Sequence, residues 1–190
     1  MNMTEHTPFD DLDAYVALPR VVGLAVSADG TRVVTTIAEL NEKRTEYVTA
    51  VWEVDPAGVQ PARRLTRGAK GESSPVFTAD GDVLFVARRT GEDDKAPAAL
   101  WRLPAAGGEA FEALALPGGV ESVHTANDAD LAVVSGPMMP SARTLDDDRR
   151  IRNLRKDNTV SAILHADYPI RHWDKDLGPG QPHLLSLIHI

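Results

Sequence analysis

The chain has 190 residues, 43% of them hydrophobic, which is enough to bury the core of one ordinary domain. Its formal net charge of -8 argues against nucleic-acid binding, which requires clustered Lys and Arg. It contains no cysteine, which excludes disulfides and thiolate zinc sites and fits a reducing compartment. The first residues are acidic and lack the features of a secretion signal, and no apolar run is long enough to span a bilayer. We therefore expect a cytoplasmic protein with neither a nucleic-acid nor a membrane partner.

The first predicted element is a short helix over Asp10 to Leu18, with acidic residues at its start and Pro19 after its end. It belongs to an N-terminal arm, residues 1–20. The next segment, residues 21–70, has the pattern of a four-stranded blade. Its predicted strands are Val21 to Val26, Arg32 to Ile37, Tyr47 to Val54 and Arg63 to Thr66. The first two flank Ser27-Ala28-Asp29-Gly30, an Asp-Gly sequence typical of a β-hairpin turn.

Residues 71–118 repeat this design around a second turn, Ala79-Asp80-Gly81, in which Gly81 supplies the positive φ of a tight reversal. The predicted strands are Ser74 to Phe77, Val83 to Arg88, Ala99 to Leu103 and Glu112 to Leu116. The loops between second and third strands, Asn41 to Glu46 and Thr90 to Pro97, are both charged. Because strands alternate in direction, we expect one face of tight turns and an opposite face of longer charged loops.

A third copy begins at residue 119 but departs from the pattern. Its first two strands, Val120 to Val123 and Leu131 to Ser135, are followed by an insertion over residues 137–182. Thr144 and Asp147 have the spacing of a helix cap, which predicts a helix from there to about Lys156. His183-Leu184-Leu185 then stands where Ala99-Leu100-Trp101 stands in the second copy.

The landmarks recur at a nearly constant period. Asp80 follows Asp29 by 51 positions, Trp101 follows Trp52 by 49, and Ala126 follows Ala79 by 47. A period of about fifty residues built from short strands is the signature of a β-propeller. The sequence therefore predicts an all-β fold: a partial propeller of about two and a half four-stranded blades, with a short N-terminal helix and a partly helical insertion.

We expect the chain to be a fragment that stops inside the third strand of an incomplete third blade, residues 119–185. Propellers usually close with at least four blades, so an isolated piece would leave unpaired edges and be unstable alone. Residues Leu185 to Ile190 also match the translation of a transposon end used in sequencing adaptors. We expect residues 186–190 to be an adaptor-derived tail.

Several short motifs resemble the N-terminal propeller of bacterial serine peptidases of the prolyl oligopeptidase family, in the acylaminoacyl-peptidase and dipeptidyl-aminopeptidase branch. They are Leu18-Pro19-Arg20-Val21, Arg64-Leu65-Thr66, Gly71-Glu72-Ser73-Ser74-Pro75, Ala99 to Glu109, Ser161 to His165 and Tyr168 to Gly178. The similarity covers Phe9 to Leu184. The Asp-Gly repeat is common to many propellers, whereas Arg171-His172-Trp173-Asp174 after a long insertion is more specific.

The resemblance implies a propeller that filters substrates for an α/β-hydrolase domain with a Ser, Asp, His triad, acting on short peptides. That domain is missing from this chain, so we expect the chain itself to be inactive, with the missing domain as a partner and homo-oligomers as a further expectation. Gly71 to Pro75 is the nearest approach to a Gly-x-Ser-x-Gly elbow, but Pro75 replaces its last glycine. No residue matches a catalytic position, and the resemblance implies no cofactor.

Two other functions stay open. A non-catalytic propeller scaffold that binds a protein partner would have the same Asp-Gly hairpins, and an export signal upstream of Met1 would favour it. A propeller enzyme with a metal in its central channel would need inward His or carboxylate ligands. The first strands instead offer Leu24, Val26, Val76 and Val123, which are apolar, so this function ranks last.

Individual candidate site residues each have a structural alternative that we favour. Trp52 and Trp101 suit core packing between blades better than a peptide-binding surface. His165-Ala166-Asp167 and His172-Trp173-Asp174 contain metal-ligand types, but their spacing matches no known metal loop, so we expect structural hydrogen bonds or contact with another domain. The run Asp146 to Arg150 has the composition of a solvated helix face rather than a peptide clamp. Gly178-Pro179-Gly180 and Asp55 to Gly58 are turns. We therefore expect no catalytic, cofactor-binding or metal-binding residue in this chain.

Overall fold

The computed structural model of the chain describes residues 7, 9–88, 96–127, 129–163 and 178–188. Within these ranges it contains eleven strands in three antiparallel sheets, together with two helices. The predicted all-β fold and propeller architecture are confirmed. No helix in the described part of the chain is long and apolar enough to cross a membrane.

The first and second sheets each have four strands, and the third has three. The first sheet contains β1 (Arg20–Val26), β2 (Val33–Leu40), β3 (Tyr47–Val54) and β4 (Arg63–Arg64). The second contains β5 (Glu72–Phe77), β6 (Val83–Ala87), β7 (Ala99–Leu103) and β8 (Phe111–Leu114). The third contains β9 (Ser122–Thr125), β10 (Leu131–Met138) and β11 (Gln181–Ile188), in the order β11-β10-β9.

The hairpin turns between first and second strands have the predicted chemistry. Gly30 and Gly81 have φ values of 72° and 83°, a region that glycine enters without steric cost. Gly30 N donates to Ser27 O at 2.8 Å, and Gly81 N donates to Thr78 O at 3.0 Å. These turns define one face of the sheet stack, here called the turn face. The connections between second and third strands lie at the opposite end of the strands and define the loop face.

Strand β9 begins later than the sequence predicts, at Ser122 instead of Val120. The reason is that Val120 N donates to the O atom of Ala98, the residue just before β7, at 2.8 Å, so Val120 belongs to the connection between the second and third sheets. In the third sheet β11 pairs with β10 from Gln181 to Ile188, so the strand continues through Ser186 and Leu187. The origin of residues 186–190 in an adaptor stays a prediction.

Apolar side chains fill the two interfaces between successive sheets. We call the interface between the first and second sheets the first seam, and that between the second and third sheets the second seam. The cluster at the first seam contains Val34, Val51, Phe77, Val83, Phe85 and Ala87. The cluster at the second seam contains Leu84, Val86, Leu100, Leu116, Val120, Val123, Ala132 and Val134. Successive β6 residues alternate between the two seams because strand side chains alternate between faces. The second sheet is therefore covered on both faces, which a propeller blade requires.

Each helix begins at a side-chain cap. Helix α1 (Leu12–Ala17) follows Asp11, whose carboxylate accepts from Asp13 N and Ala14 N. Helix α2 (Leu145–Asp157) follows Thr144, whose hydroxyl accepts from Asp147 N at 3.1 Å. Both patterns satisfy amide groups that the first turn of a helix leaves without a partner. The predicted helix in the insertion is thus present, within two residues of its expected ends.

Candidate functional site

The first strands of the three sheets, β1, β5 and β9, line a cavity of about 410 Å³. Its polar lining comes from Ser73, Ser74, Ser122 and His124, with Thr36 beneath β1. Its apolar lining includes Leu24, Val76 and Val123. We call this surface the inner wall. Small hydroxyl groups and an imidazole can hydrogen-bond a peptide backbone without selecting its side chains.

Sequence reasoning underestimated the polarity of this wall because it considered only the apolar first-strand residues. Val123 is buried in the second seam, and Val76 packs against the same cluster. Leu24 and Val26 are exposed on the first sheet. The signal that was available is the Ser-Ser sequence at Ser73 and Ser74 and the Ser-x-His spacing from Ser122 to His124.

The stretch from Gly71 to Pro75 does not form a nucleophile elbow. Ser73 and Ser74 lie within β5, which leads to β6 and not to a helix, whereas an elbow requires a strand-to-helix turn. Ser74 has a left-handed backbone with φ of 53°, at a register shift between Ser73 and Val76. The shift turns the strand locally and places Ser74 on the inner wall.

A second cavity, of about 540 Å³, opens on the turn face beside β3 and β4. At its edge Glu53 accepts from Arg32 Nε at 2.7 Å and from Arg63 Nη2 at 2.6 Å. Burial acts to raise the pKa of Glu53, but the hydrogen bonds donated by Arg63 and Arg32 outweigh it and lower the pKa. Arg32 also donates to Gly81 O at 2.7 Å and lies over the Phe77 ring. This ion-pair group therefore ties the first sheet to the second.

A third cavity, of about 720 Å³, opens on the loop face of the first sheet. Acidic and basic side chains alternate around it. The charged lining residues are Glu39, Glu42, Lys43, Glu46, Arg64 and Arg67. Because the two signs are mixed, the cavity has no single field that would select an anion or a cation.

The charged run from Asp146 to Arg150 at the start of α2 contains both exposed and buried side chains. Asp146 pairs with Arg149 and is 89% exposed, as a solvated helix face predicts. The prediction is wrong for Asp148, which is fully buried. Its carboxylate accepts from Met139 N at 2.8 Å and from Arg152 Nε at 2.9 Å. The amide that holds this carboxylate inward belongs to Met139, the first residue after β10, a contact that local composition does not contain.

Trp52 and Trp101 occupy equivalent register positions. Trp52, on the third strand of the first sheet, pairs with Thr35, and Trp101, on the third strand of the second sheet, pairs with Phe85. Trp101 packs against the first-seam cluster, in agreement with the predicted core role. Trp52 lies on the opposite face of β3 from Val51, which belongs to that same cluster. Trp52 therefore points away from the second sheet, on the face of the first sheet that the stack leaves open.

The other sequence candidates form no site in the described residues. His165, Asp167, His172 and Asp174 lie outside the part of the chain that the structure describes. Within the described ranges, no group of three His, Asp or Glu residues is placed to hold a metal ion. Asp55 accepts from the amides of Ala57, Val59 and Gln60. These bonds lower its pKa and account for it as a turn residue.

Comparisons with known proteins identify the fold through solved structures. No family model matches the chain, and no curated protein does. An acylaminoacyl peptidase from Pyrococcus horikoshii superposes over 92% of this chain and 24% of its own, with a TM-score of 0.59 and 12% identity. A variant of the AtxE2 isopeptidase with Astexin3-dC4 bound superposes over 93% and 30%, with a TM-score of 0.55 and 15% identity.

The apo form of the AtxE2 isopeptidase gives the same coverage and TM-score at 14% identity. The putative TolB from Agrobacterium tumefaciens is also similar, with a TM-score of 0.48 and 20% identity over 62% of this chain and 38% of its own. The chain thus spans about a quarter to two fifths of the length of these structures. The described residues form part of a β-propeller, the fold that these structural similarities support.

Proposed function

We propose that this chain is the propeller part of a serine exopeptidase or oligopeptidase that acts on short peptides. The observation that carries the proposal is the structural similarity of this chain, over 92% of its length, to an acylaminoacyl peptidase. The catalytic α/β-hydrolase domain, with its serine nucleophile, would belong to another part of the polypeptide. We expect this chain to contribute no catalytic residue.

The role of the propeller would be to admit peptides by size. Its seams are closed by side chains with no exposed surface, such as Val51 and Phe85 in the first and Leu100 and Val134 in the second, so adjacent sheets do not part easily. The inner wall, formed by the first strands of the sheets, carries serine hydroxyls. Such groups can bind the backbone of a passing peptide whatever its side chains are. A short extended peptide would fit along such a wall, whereas a folded protein would be excluded.

The chemistry would be acyl transfer from the peptide to serine, followed by hydrolysis of the acyl-enzyme by water. The test is to recover the parent gene, produce the complete protein and treat it with a fluorophosphonate probe that labels activated serines. Labelling at a serine within Gly-x-Ser-x-Gly, together with cleavage of short acylated or free peptides, is the expected result. A complete protein that neither labels nor cleaves would refute the peptidase and favour a scaffold that binds a protein partner.

The filtering role has its own test in the same complete protein. Ser122→Trp narrows the inner wall and should lower kcat/KM for longer peptides while leaving dipeptide derivatives nearly unchanged. Ala57→Trp places the same side chain in an exposed turn on the turn face and serves as the matched control. Equal loss for short and long peptides in Ser122→Trp would contradict filtering without contradicting the peptidase activity.

A further inference from the structure

Two Asp-Gly dipeptides occupy the same place in successive sheets. Asp29-Gly30 and Asp80-Gly81 each lie in the turn between a first and a second strand, and both aspartate side chains are exposed. In each turn the glycine has a positive φ, and its amide donates to the carbonyl oxygen three residues earlier. The backbones of the two turns are therefore alike. A difference in reactivity between the two aspartates would come from the contacts of their side chains.

An Asp-Gly dipeptide can rearrange its own backbone. The glycine amide nitrogen attacks the side-chain carboxyl carbon of the aspartate, and a water molecule leaves as a five-membered imide closes. Water then adds to either imide carbonyl, which gives aspartate or isoaspartate, whose main chain runs through the side-chain methylene. Glycine favours this ring because it has no Cβ to obstruct the attack. The carboxyl group must be free to turn toward the amide and must be protonated, since a carboxylate is a poor electrophile.

The hydrogen bonds of Asp29 oppose both requirements. Its Oδ1 accepts from Ser27 Oγ at 2.6 Å and from Thr31 N at 3.0 Å, and the Thr31 hydroxyl donates to both carboxylate oxygens at 2.9 Å. The bond from the Ser27 hydroxyl, and then those from Thr31, lower the pKa of Asp29 to about 2. The Asp29 carboxylate is therefore held beside Ser27 and Thr31 and stays ionised.

Asp80 has the same dipeptide without these donors. The amide two residues after it, Asp82 N, donates to Thr78 Oγ1 at 3.1 Å. The Asp82 side chain is a carboxylate that accepts from Arg102 Nε at 2.5 Å. Within the part of the chain that the structure describes, the exposed Asp80 carboxyl has no hydrogen bond or ion pair. It is therefore free to turn toward the Gly81 amide.

The turn that contains Asp80 also joins the first sheet to the second. Gly81 O accepts from Arg32 Nη1 at 2.7 Å, and Arg32 is held in place by Glu53. Isoaspartate at position 80 would add one methylene to the main chain directly before Gly81. That insertion shifts the Gly81 carbonyl relative to Arg32, so the rearrangement would reach beyond the turn to a contact between sheets.

We propose that Asp80 is a site of isoaspartate formation on the turn face, that Asp29 is protected by its hydrogen bonds, and that the modification weakens the contact between the first two sheets. The rearrangement consumes no oxidant, reductant or cofactor, because the water lost on ring closure is replaced on ring opening. The inference does not depend on the peptidase function.

The test ages the folded 190-residue chain in water labelled with heavy oxygen, since each imide that opens takes up one labelled atom. Trypsin places the dipeptides in separate peptides, residues 21–32 and 71–88, in which mass spectrometry measures the label and fragmentation identifies isoaspartate. Label at Asp80 should accumulate about tenfold or more faster than at Asp29, because a pKa of about 2 instead of 3.8 reduces the protonated population of Asp29 by more than that factor. Asp80→Glu is the control at the site, because the larger ring that glutamate would form closes far more slowly.

Two comparisons test whether the hydrogen bonds cause the protection. In guanidinium chloride the two aspartates should take up label at similar rates, because the unfolded chain lacks those bonds. In the folded chain, Ser27→Ala combined with Thr31→Val should raise the label at Asp29 and leave Asp80 unchanged. Should this double variant fail to fold, the folded and unfolded states of the unmodified chain decide the question.

The result that would overturn the proposal is equal labelling of Asp29 and Asp80 in the folded chain, or no label at Asp80 there when both are labelled in denaturant. The aged chain should also unfold at a lower denaturant concentration than the fresh chain, whereas Asp80→Glu should not change on ageing. Isoaspartate at position 80 without such a shift would overturn the weakened sheet contact. Circular dichroism verifies that the chain is folded. If it does not stay folded alone, the complete protein is aged in its place, with the same outcomes.

Discussion

The first two sheets use one framework with different charges and different neighbours. At the same register, the first sheet has Arg32 beside Glu53, and the second has Asp82 beside Arg102, so the ion pair is present with its signs exchanged. Arg32 extends to Gly81 O of the next sheet. Asp82 stays within its own sheet, where it accepts from Ala105 N at 2.6 Å. The backbone register is thus the same in both sheets. The long Arg32 side chain lets the first ion pair contact the next sheet, whereas the short Asp82 side chain keeps the second ion pair within its own sheet.

Residues at equivalent positions on the third strands also differ in whether a neighbouring sheet covers them. Trp101 of the second sheet packs on the first seam, and Leu185 of the third sheet, in the same register position opposite Val134, packs on the second seam. Trp52 of the first sheet has the same position but faces the open side. Equivalent residues in this fold therefore differ in energetic value according to the sheet that lies opposite them.

The largest effect on the free energy of unfolding is expected at Leu100, which we compare with Leu184, the leucine in the equivalent position on the third strand of the third sheet. Leu100 is fully buried in the second seam, whereas Leu184 is 76% exposed on the open face of the third sheet. Leu100→Ala should lower the free energy of unfolding by about 2–5 kcal/mol, because it leaves a cavity. Leu184→Ala should change it by less than about 0.5 kcal/mol. Urea unfolding monitored by circular dichroism measures both, and equal losses would contradict the assignment of the covered and open faces.

The exchanged ion pairs should differ in strength. The side chains of Asp82 and Arg102 are 12% and 19% exposed, while Arg32 is 30% exposed. Asp82→Ala leaves the buried Arg102 charge and the Ala105 amide without their acceptor and should cost about 3 kcal/mol. Arg32→Ala should cost about 1.5 kcal/mol, since Glu53 keeps Arg63 as a partner. Chemical denaturation of the two variants, with Glu53→Gln as a control, ranks them, and the reverse order would refute this account.

Acid should weaken the first sheet through two carboxylates with lowered pKa values. Hydrogen bonds from the Ser27 hydroxyl and then from Thr31 lower the pKa of Asp29 to about 2, and the pKa of Glu53 is also lowered. A carboxyl with a lower pKa in the folded state contributes stability above its unfolded pKa and loses it as the pH falls through the folded value. Stability should therefore decline between about pH 4 and pH 2.

Asp29→Asn and Glu53→Gln should each reduce the steepness of this decline. Thermal melts across the acid range measure it. Because Asp29 is fully exposed in its turn, solvent screening should keep its effect the smaller of the two. A decline that is unchanged in both variants would place the acid sensitivity elsewhere in the chain.

The sequence predicted those features that depend on local chemistry. Gly30 and Gly81 fixed two turns, Thr144 and Asp147 marked the start of α2, and the spacing of Trp52 and Trp101 placed both third strands at the same register. The fold class followed from these signals because each is contained in a few neighbouring residues.

Features that depend on a distant neighbour could not be predicted in this way. Alternation along β3 separates Trp52 from Val51, but it does not say which of the two faces the second sheet. The burial of Asp148 requires the amide of Met139, just after β10, and Arg152, whose guanidinium needs the space beside Gly118. The serine-rich inner wall exists only when β1, β5 and β9 lie side by side, so its residues carried little signal individually.

The most direct test of the stacked, in-register sheets is a methyl and aromatic NOE spectrum of the assigned chain in solution. The account predicts contacts between Val51 and Phe85 across the first seam and between Leu100 and Val134 across the second. It predicts none between the Trp52 indole and the Phe85 ring. A Trp52 to Phe85 contact, or the absence of both predicted seam contacts in the folded chain, would contradict the arrangement on which the proposed function depends.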